Sequence, residues 1–255
     1  LVVVDGKIGF TGGINIADRY LYGSRLGQWR DTVVRIEGAG VHGIQKLFLT
    51  DWYFVERKLI TAAKYFPEPQ RYEENLVQLV SSGPDTDWQS IMQGIAAAIM
   101  AAEKYVYIHT PYFMPNELMS GCIQMAALSG TEIRLMIPEK SDAPLSDLSS
   151  SSYLGDMMEA GVRVFIYKKG FLHSKAIVLD DFVSIIGSTN MDDRSFDQNF
   201  EANAFIYDTQ TALQLKELFM NDLNKCEELT YDAWNNRKRR QKLKESFARL
   251  FSPLM

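Results

Sequence analysis

Cysteine and histidine are scarce in this sequence, two and three residues respectively among 255. Cys122 and Cys226 form no C-x-x-C pair, which argues against both a disulfide framework and a zinc site. Long apolar runs are missing as well. The most apolar stretch, Ile91–Ala102, is interrupted by Gln93 and Gly94 and falls short of the ~18–20 residues that cross a bilayer. Positive charge is not in excess: the net charge is -5 and the pI about 5.3, which disfavours a general nucleic-acid partner. There is no initiating Met and no secretory leader pattern; the opening Leu1-Val2-Val3-Val4-Asp5 reads as cut out of something longer. What is present is an ordinary globular composition, 46% hydrophobic, 12% aromatic and 23% charged, able to bury a sizeable core.

An internal repeat organises the chain. Shifted by 175 residues, Asp5–Tyr20 lies over Asp180–Ser195, with identities at Asp5/Asp180, Gly12/Gly187, Asn15/Asn190, Asp18/Asp193 and Arg19/Arg194. Leu1–Val4 lies over Ala176–Leu179, both apolar and strand-like. The polar pair upstream in the second copy, His173 and Lys175, has no counterpart, because the equivalent positions fall before Leu1. The expectation is one complete repeat preceded by the tail of another.

The local pattern gives an α/β fold. Asp5-Gly6 and the Asp180–Phe182 segment read as tight turns of two hairpins. Trp29–Glu37 reads as a strand and Val41–Ala63 as a long helix, ended by Pro67-Glu68-Pro69. Strands at Leu76–Val80, Tyr105–His109, Ile133–Ile137 and Val162–Tyr167 alternate with helices over 88–102, 116–128 and 146–160. The hairpin Ser174–Leu179 with Val183–Ile186, a strand at Ala202–Ile206 and helices over 209–226 and 230–249 follow. The resulting expectation is a mixed sheet flanked by helices, with a first-repeat tail over 1–66, a linker over 67–75, a complete repeat over 76–228 and a basic carboxy-terminal helix over 229–255. Ser141–Ser152 is expected to be a mobile loop leading into a helix cap. Trp52, Tyr53 and Phe54 are expected in the core, and His42 is expected to be structural.

The chemistry concentrates after residue 172. His173 and Lys175 are i and i+2 on one strand and therefore point into one space. Asp180 belongs to the turn and can order it. Ser188 and Asn190 repeat the i, i+2 spacing on the return strand, after Gly187, and Glu201 precedes the next one. Lysine with serine and asparagine donors makes a cradle for a tetrahedral anion such as phosphate. A histidine beside it can attack phosphorus or move a proton at neutral pH. No second histidine or cysteine is placed to join His173 in holding a metal. A serine esterase is disfavoured because Ile186-Gly187-Ser188-Thr189-Asn190 lacks the second glycine of a nucleophile elbow.

His173-x-Lys175-x4-Asp180 followed by Gly187-Ser188-x-Asn190 resembles the HKD signature of the phospholipase D superfamily. Within it the chain resembles the bacterial cardiolipin synthases, through Gly12-Gly13-Ile14-Asn15, Trp29-Arg30-Asp31-Thr32, His109-Thr110-Pro111-Tyr112-Phe113 and Arg249-Leu250-Phe251-Ser252-Pro253-Leu254. The resemblance implies a phospholipase D-like fold with two histidines meeting at the junction of two similar halves. It implies transfer of a phosphatidyl group between two phosphatidylglycerols, releasing glycerol through a phosphohistidine, with no cofactor. His173 would be the acid/base and the first-motif histidine the nucleophile. Lys175, Ser188 and Asn190 would bind phosphate oxygens, Glu201 would hydrogen-bond to a site histidine, and Asp180 would order the hairpin. His109, Tyr112 and Phe113 would line the substrate pocket. Asp5, Gly13 and Asn15 would be what is present of the first motif, whose histidine and lysine are absent. The chain alone is therefore expected to be inert, its partners being the amino-terminal half of the same protein and phosphatidylglycerol in a bacterial membrane. Hydrolysis by a phospholipase D-type phosphodiesterase remains open, as does a non-catalytic membrane-surface fragment.

The last segment fits that surface. From Asn235 onward seven basic residues (Arg237, Lys238, Arg239, Arg240, Lys242, Lys244 and Arg249) stand against Glu245 alone. Leu243, Phe247, Leu250 and Phe251 fall at helical spacing among them, a pattern suited either to an anionic membrane or to docking an apolar stripe on the domain.

Overall fold

The structure, a computed structural model, describes residues 1–70 and 75–252. The chain begins with β1 (Val2–Val4), β2 (Ile8–Gly12), α1 (Arg19–Tyr22), β3 (Trp29–Arg30), β4 (Val33–Glu37) and α2 (Val41–Glu56). Next come β5 (Leu76–Ser82), α3 (Ser90–Ala101), β6 (Tyr105–His109), β7 (Phe113–Met114), α4 (Glu117–Leu128), β8 (Glu132–Pro138), α5 (Pro144–Glu159) and β9 (Arg163–Tyr167). The remainder is β10 (Phe171–Leu172), β11 (Ala176–Leu179), β12 (Val183–Gly187), β13 (Met191–Asp192), α6 (Asp193–Asp197), β14 (Glu201–Tyr207), α7 (Thr209–Leu223), β15 (Cys226–Leu229), α8 (Tyr231–Asn235) and α9 (Arg239–Arg249).

Eight strands make the main sheet in the order β15-β9-β8-β6-β11-β12-β14-β5. The β6–β8 and β8–β9 pairs are parallel, as helical crossovers require, and the others are antiparallel. Alternation along the strands divides two cores. Val106, Ile108, Leu135 and Val164 pack with Ile95, Ile123 and Leu154 of α3, α4 and α5 on one face. Tyr105, Tyr107, Ile186, Ala204 and Ile206 pack on the other with Phe219 of α7, and with Ile36, Val41 and Ile44 of the first segment. The small antiparallel sheet β1-β2-β4 thus lies against the main sheet, and the two share one core.

The repeat is visible in the backbone. Val3 faces Gly9 across β1–β2, and Val178 faces Ser184 across β11–β12, the same register after the 175-residue shift. Asp5 and Asp180 open the two turns at the same positive φ of 52°. Asn15 Nδ2 donates to Tyr20 Oη (3.5 Å), as Asn190 Nδ2 donates to Ser195 Oγ (3.1 Å). Burial differs sharply between equivalents: Val4 is 45% exposed and Ile16 fully so, whereas Leu179 and Met191 are 2% and 3% exposed. In the second repeat those positions are covered by pairing with β6 and β7.

Several expectations are corrected. The helix expected over Val41–Ala63 ends at Glu56, where Arg57 turns left-handed at φ 52°. Trp52, Tyr53 and Phe54 on it are exposed, not core. The strand expected over Trp29–Glu37 is two strands, parted by Asp31-Thr32. The loop expected over Ser141–Ser152 is mostly helix: α5 starts at Pro144, and Ser149 and Ser150 are buried, Ser150 Oγ accepting the Phe113 N–H. The boundary placed after residue 228 falls inside β15. Cys226-Glu227-Glu228-Leu229 lacks strand-forming residues, and pairing with β9 decides its state. Of the linker, residues 71–74 lie outside the described residues, as do residues 253–255 of the terminal helix and its closing phrase. His42 is structural as expected, its Nε2 2.9 Å from the Pro67 carbonyl.

Candidate active site

His173 stands between β10 and β11, where two short strands from the two repeats meet. Leu172 pairs with Arg30 in a parallel bridge, and the His173 N–H donates to the Arg30 carbonyl (2.8 Å). This places Asp31, the residue after Arg30, beside the imidazole. Asp31 Oδ2 lies 2.7 Å from His173 Nδ1, and its Oδ1 accepts the Thr32 N–H at 2.7 Å. Gly13 leaves room for that carboxylate, since a Cβ there would sit 2.3 Å from Asp31 Oδ1. The carboxylate selects the tautomer with its proton on Nδ1 and leaves the Nε2 lone pair facing the Lys175 ammonium (3.0 Å).

Lys175 shares the space, as the i, i+2 spacing requires. Its Nζ lies 2.9 Å and 3.0 Å from the two ring nitrogens and 2.6 Å from the His173 carbonyl. The lysine is buried, and burial brings its pKa down to about 8, with Asp31, Glu201, Asp192 and Asp142 opposing. Burial also lowers the His173 pKa. Its hydrogen bond to Asp31 works against that and the Lys175 charge reinforces it. Tyr20 Oη is 3.1 Å from Nδ1, and the rings of Trp29, Phe171 and Tyr20 surround the imidazole at 5.1, 5.5 and 5.9 Å.

The return strand supplies the other wall. Gly187 lies against β14 so closely that a Cβ would meet Asn203 Oδ1 at 1.9 Å. Ser188 Oγ accepts the Ala202 N–H (3.1 Å), and its hydroxyl also bonds the Glu201 carboxylate. Burial raises the Glu201 pKa, while Ser188 and Asn199 (Nδ2, 3.2 Å) stabilise its ionised form. No imidazole is among these partners of Glu201, although a histidine contact was expected. Asn190 donates to Ser195 Oγ and also bonds the buried Asp192, whose pKa burial raises.

Asp180 is placed elsewhere. At the far end of β11 its carboxylate accepts the N–H groups of Glu103 (2.7 Å), Lys104 (2.9 Å) and Tyr105 (2.8 Å), fastening the hairpin to the start of β6. Asp5, at the equivalent turn, is exposed. The expected pocket residues divide. His109 and Phe113 are buried within the protein. Burial, with Arg30 adding to it and Asp222 opposing, lowers the His109 pKa to about 3. Tyr112 is near the site, its hydroxyl bonded to Asp142, which acts on His173 and Lys175. Among the described residues no group of three or more His, Cys, Asp or Glu is arranged to hold a metal ion.

Asp31 is the candidate site residue that spacing alone does not reveal. Gly12 pairs with Val33 and Gly187 with Asn203. The Gly13 N–H donates to Thr32 O (3.2 Å), as the Ser188 N–H donates to Ala202 O (3.1 Å). Asp31 is therefore the counterpart of Glu201, at a shift of 170 and not 175. The shorter connection in the second repeat hides the match from an ungapped comparison.

The family model described as "Cardiolipin synthase, PLD-like domain" matches residues 95–223. A cardiolipin synthase of Listeria monocytogenes is 41% identical over 258 aligned residues, covering all of this chain and 54% of that protein. Cardiolipin synthase 2 of Staphylococcus epidermidis is 40% identical, covering all of this chain and 53% of that protein. The chain thus spans about half the length of these relatives. In fold it resembles the phosphatidylserine synthase of Haemophilus influenzae, with a TM-score of 0.72 at 16% identity over 98% of this chain and 69% of that one. It also resembles Nuc, a phospholipase D family member from Salmonella typhimurium, with a TM-score of 0.53 at 18% identity over 62% of this chain and 99% of that one. The chain belongs to the phospholipase D-like cardiolipin synthase family.

Proposed function

We propose that the protein to which this chain contributes is a phosphatidyltransferase that makes cardiolipin from two phosphatidylglycerols and releases glycerol. The observation carrying this reading is the largely buried triple of Asp31, His173 and Lys175, with Asp31 on Nδ1 and the ammonium within 3.0 Å of Nε2. An imidazole of the first motif attacks phosphorus and breaks the bond to the headgroup glycerol, and His173 gives that oxygen a proton. The neutral His173 then takes the proton of the second lipid's hydroxyl as its oxygen displaces the phosphohistidine. Lys175 balances the charge on the phosphoryl oxygens, and Ser188 and Asn190, bonded to the Glu201 and Asp192 carboxylates that act on Lys175, bind oxygens from the opposite wall. Glu201, the counterpart of Asp31, is the natural partner for the first-motif imidazole.

This assignment makes the amino-terminal half of the protein an obligate partner, and it makes the chain alone inert. The positions exposed in the first repeat and buried in the second, Val4 and Ile16 among them, support such a partner. A bacterial membrane surface is the second partner. Helix α9 docks through Glu245 and Ala248, both buried, and leaves Leu243, Phe247 and Leu250 exposed among its basic residues. That is the arrangement expected of a helix lying on anionic lipid.

Phosphatidylglycerol labelled in both headgroup and phosphate, given to the full-length protein in vesicles, tests the reading. Cardiolipin and free glycerol in equal amounts are expected. Phosphatidic acid as the sole lipid product would make the protein a hydrolase, and no turnover by the full-length protein would leave only the membrane-surface role.

A further inference from the structure

The active site accounts for Asp31, but not for the buried charges behind it. Arg30 Nε donates to Asp222 Oδ2 (2.9 Å), and its Nη1 donates to Thr32 Oγ1 (2.9 Å) and to the Asp31 carbonyl. Thr32 Oγ1 lies 2.7 Å from Ser174 Oγ, within the motif itself. Asp222, in the last turn of α7, is buried, takes Lys225 Nζ on its other oxygen (2.9 Å) and lies 3.8 Å from His109 Nε2. His109 stays neutral there, so Arg30 and Lys225 are the cations that Asp222 serves.

We propose that Arg30 and Asp222 are positioning residues for the catalytic imidazole, the ion pair tying the segment that carries Asp31 to α7 across the repeat junction. Asp31 and Thr32 interrupt the run from β3 to β4, and the backbone bond that ties them to the neighbouring strand is Gly13 N–H to the Thr32 carbonyl (3.2 Å). The guanidinium adds a second hold, gripping the Asp31 carbonyl and the Thr32 hydroxyl while Asp222 takes its Nε. A buried ion pair broken on one side leaves an uncompensated charge, and relaxation of Arg30 would move the Asp31 carbonyl and its carboxylate together. The device serves one half of the site. The counterpart of Arg30, at the 170-residue shift, is Phe200, exposed and 6.4 Å from the ring of Phe54. Glu201 therefore has no such anchor at that position.

The test reads the His173 titration midpoint in the full-length protein by imidazole NMR, the resonance being assigned by its loss in His173→Gln. The ionisable groups facing this ring are Asp31 and Tyr20 from the first repeat, Lys175 from its own strand, and Asp142 from the segment after β8. Since the Asp31 hydrogen bond raises the His173 pKa, loosening it in Asp222→Asn moves the midpoint down. It also lowers kcat about ten- to hundredfold with KM nearly unchanged. Arg30→Lys does the same, and Asp222→Glu, which keeps the charge, recovers most of both. A lower melting temperature with midpoint and kcat unchanged would make the pair a fold stabiliser and overturn the proposal. Should Asp222→Asn not fold, Thr32→Val is read in its place; a smaller downward shift supports the proposal and an unmoved midpoint overturns it. The kinetic arm rests on the transferase reading, whereas the titration does not. A midpoint that moves in a protein without transferase activity would sink that reading and keep this one.

Discussion

Lys175 is held at one point by its own strand and by burial, and its protonation separates two kinds of pH effect. Its pKa falls from 10.5 to about 8, so the charge proposed to grip phosphate is lost as pH rises through about 8, and transfer is expected to fall with it. Stability moves the other way. Between about 8 and 10.5 the unfolded chain binds a proton that the folded chain has released, so unfolding becomes harder as pH rises. The expected outcome is a basic limb of activity near pH 8 with no matching loss of structure, checked by rate and melting temperature on the same samples. Lys175→Met should abolish the limb with the activity and leave the fold intact. Of the site residues, His173 and Lys175 were legible because two-residue spacing on a strand forces a shared direction. Asp31 was not, because the residues that make it a neighbour of His173 are 142 positions away.

At the scale of elements, the hairpin β11–β12 is fastened at both ends. Asp180 ties its turn to β6 through three N–H groups, and replacing it by Ala leaves those donors without their carboxylate. A loss of about 2–3 kcal/mol in unfolding free energy is expected, measured by denaturant titration, with the His173 midpoint unmoved because the turn lies at the far end of the strand. Gly187→Ala crowds Asn203 and should cost roughly 2–3 kcal/mol, with activity falling as well, since Ser188 follows directly. Strands such as Tyr105–His109 were legible from their β-branched and aromatic content and flanking helices. Helix α5 was expected over 146–160 and spans Pro144–Glu159, but its first turns, also read as a loop over Ser141–Ser152, and strand β15 were read poorly for a common reason. Serines in one and glutamates in the other oppose the local state, and tertiary bonds override them: Ser150 to the Phe113 N–H, and Glu228 to Arg163 at 2.8 Å.

At the scale of the whole molecule, an acidic protein carries one basic end, and α9 shows its apolar side chains outward there. Leu243→Glu with Phe247→Glu should weaken binding to anionic vesicles by about tenfold or more, with added salt weakening the unmutated protein in the same assay. Leu243, Phe247 and Leu250 are exposed, whereas Glu245 pairs with Arg237 (2.7 Å) and Ser252 Oγ lies 2.7 Å from Tyr153 Oη on the side turned inward. The duplicated hairpin was legible from identities at fixed spacing, but the packing of one repeat's sheet on the other was not, since apolar faces do not name their partners. The central proposal is that His173 moves a proton at a phosphodiester. The most direct measurement is the rate of cardiolipin formation from phosphatidylglycerol by the full-length protein and by its His173→Gln variant, matched for folding. A fall of about 10²–10⁴-fold is predicted, and a variant within a few-fold of the unmutated rate would contradict it.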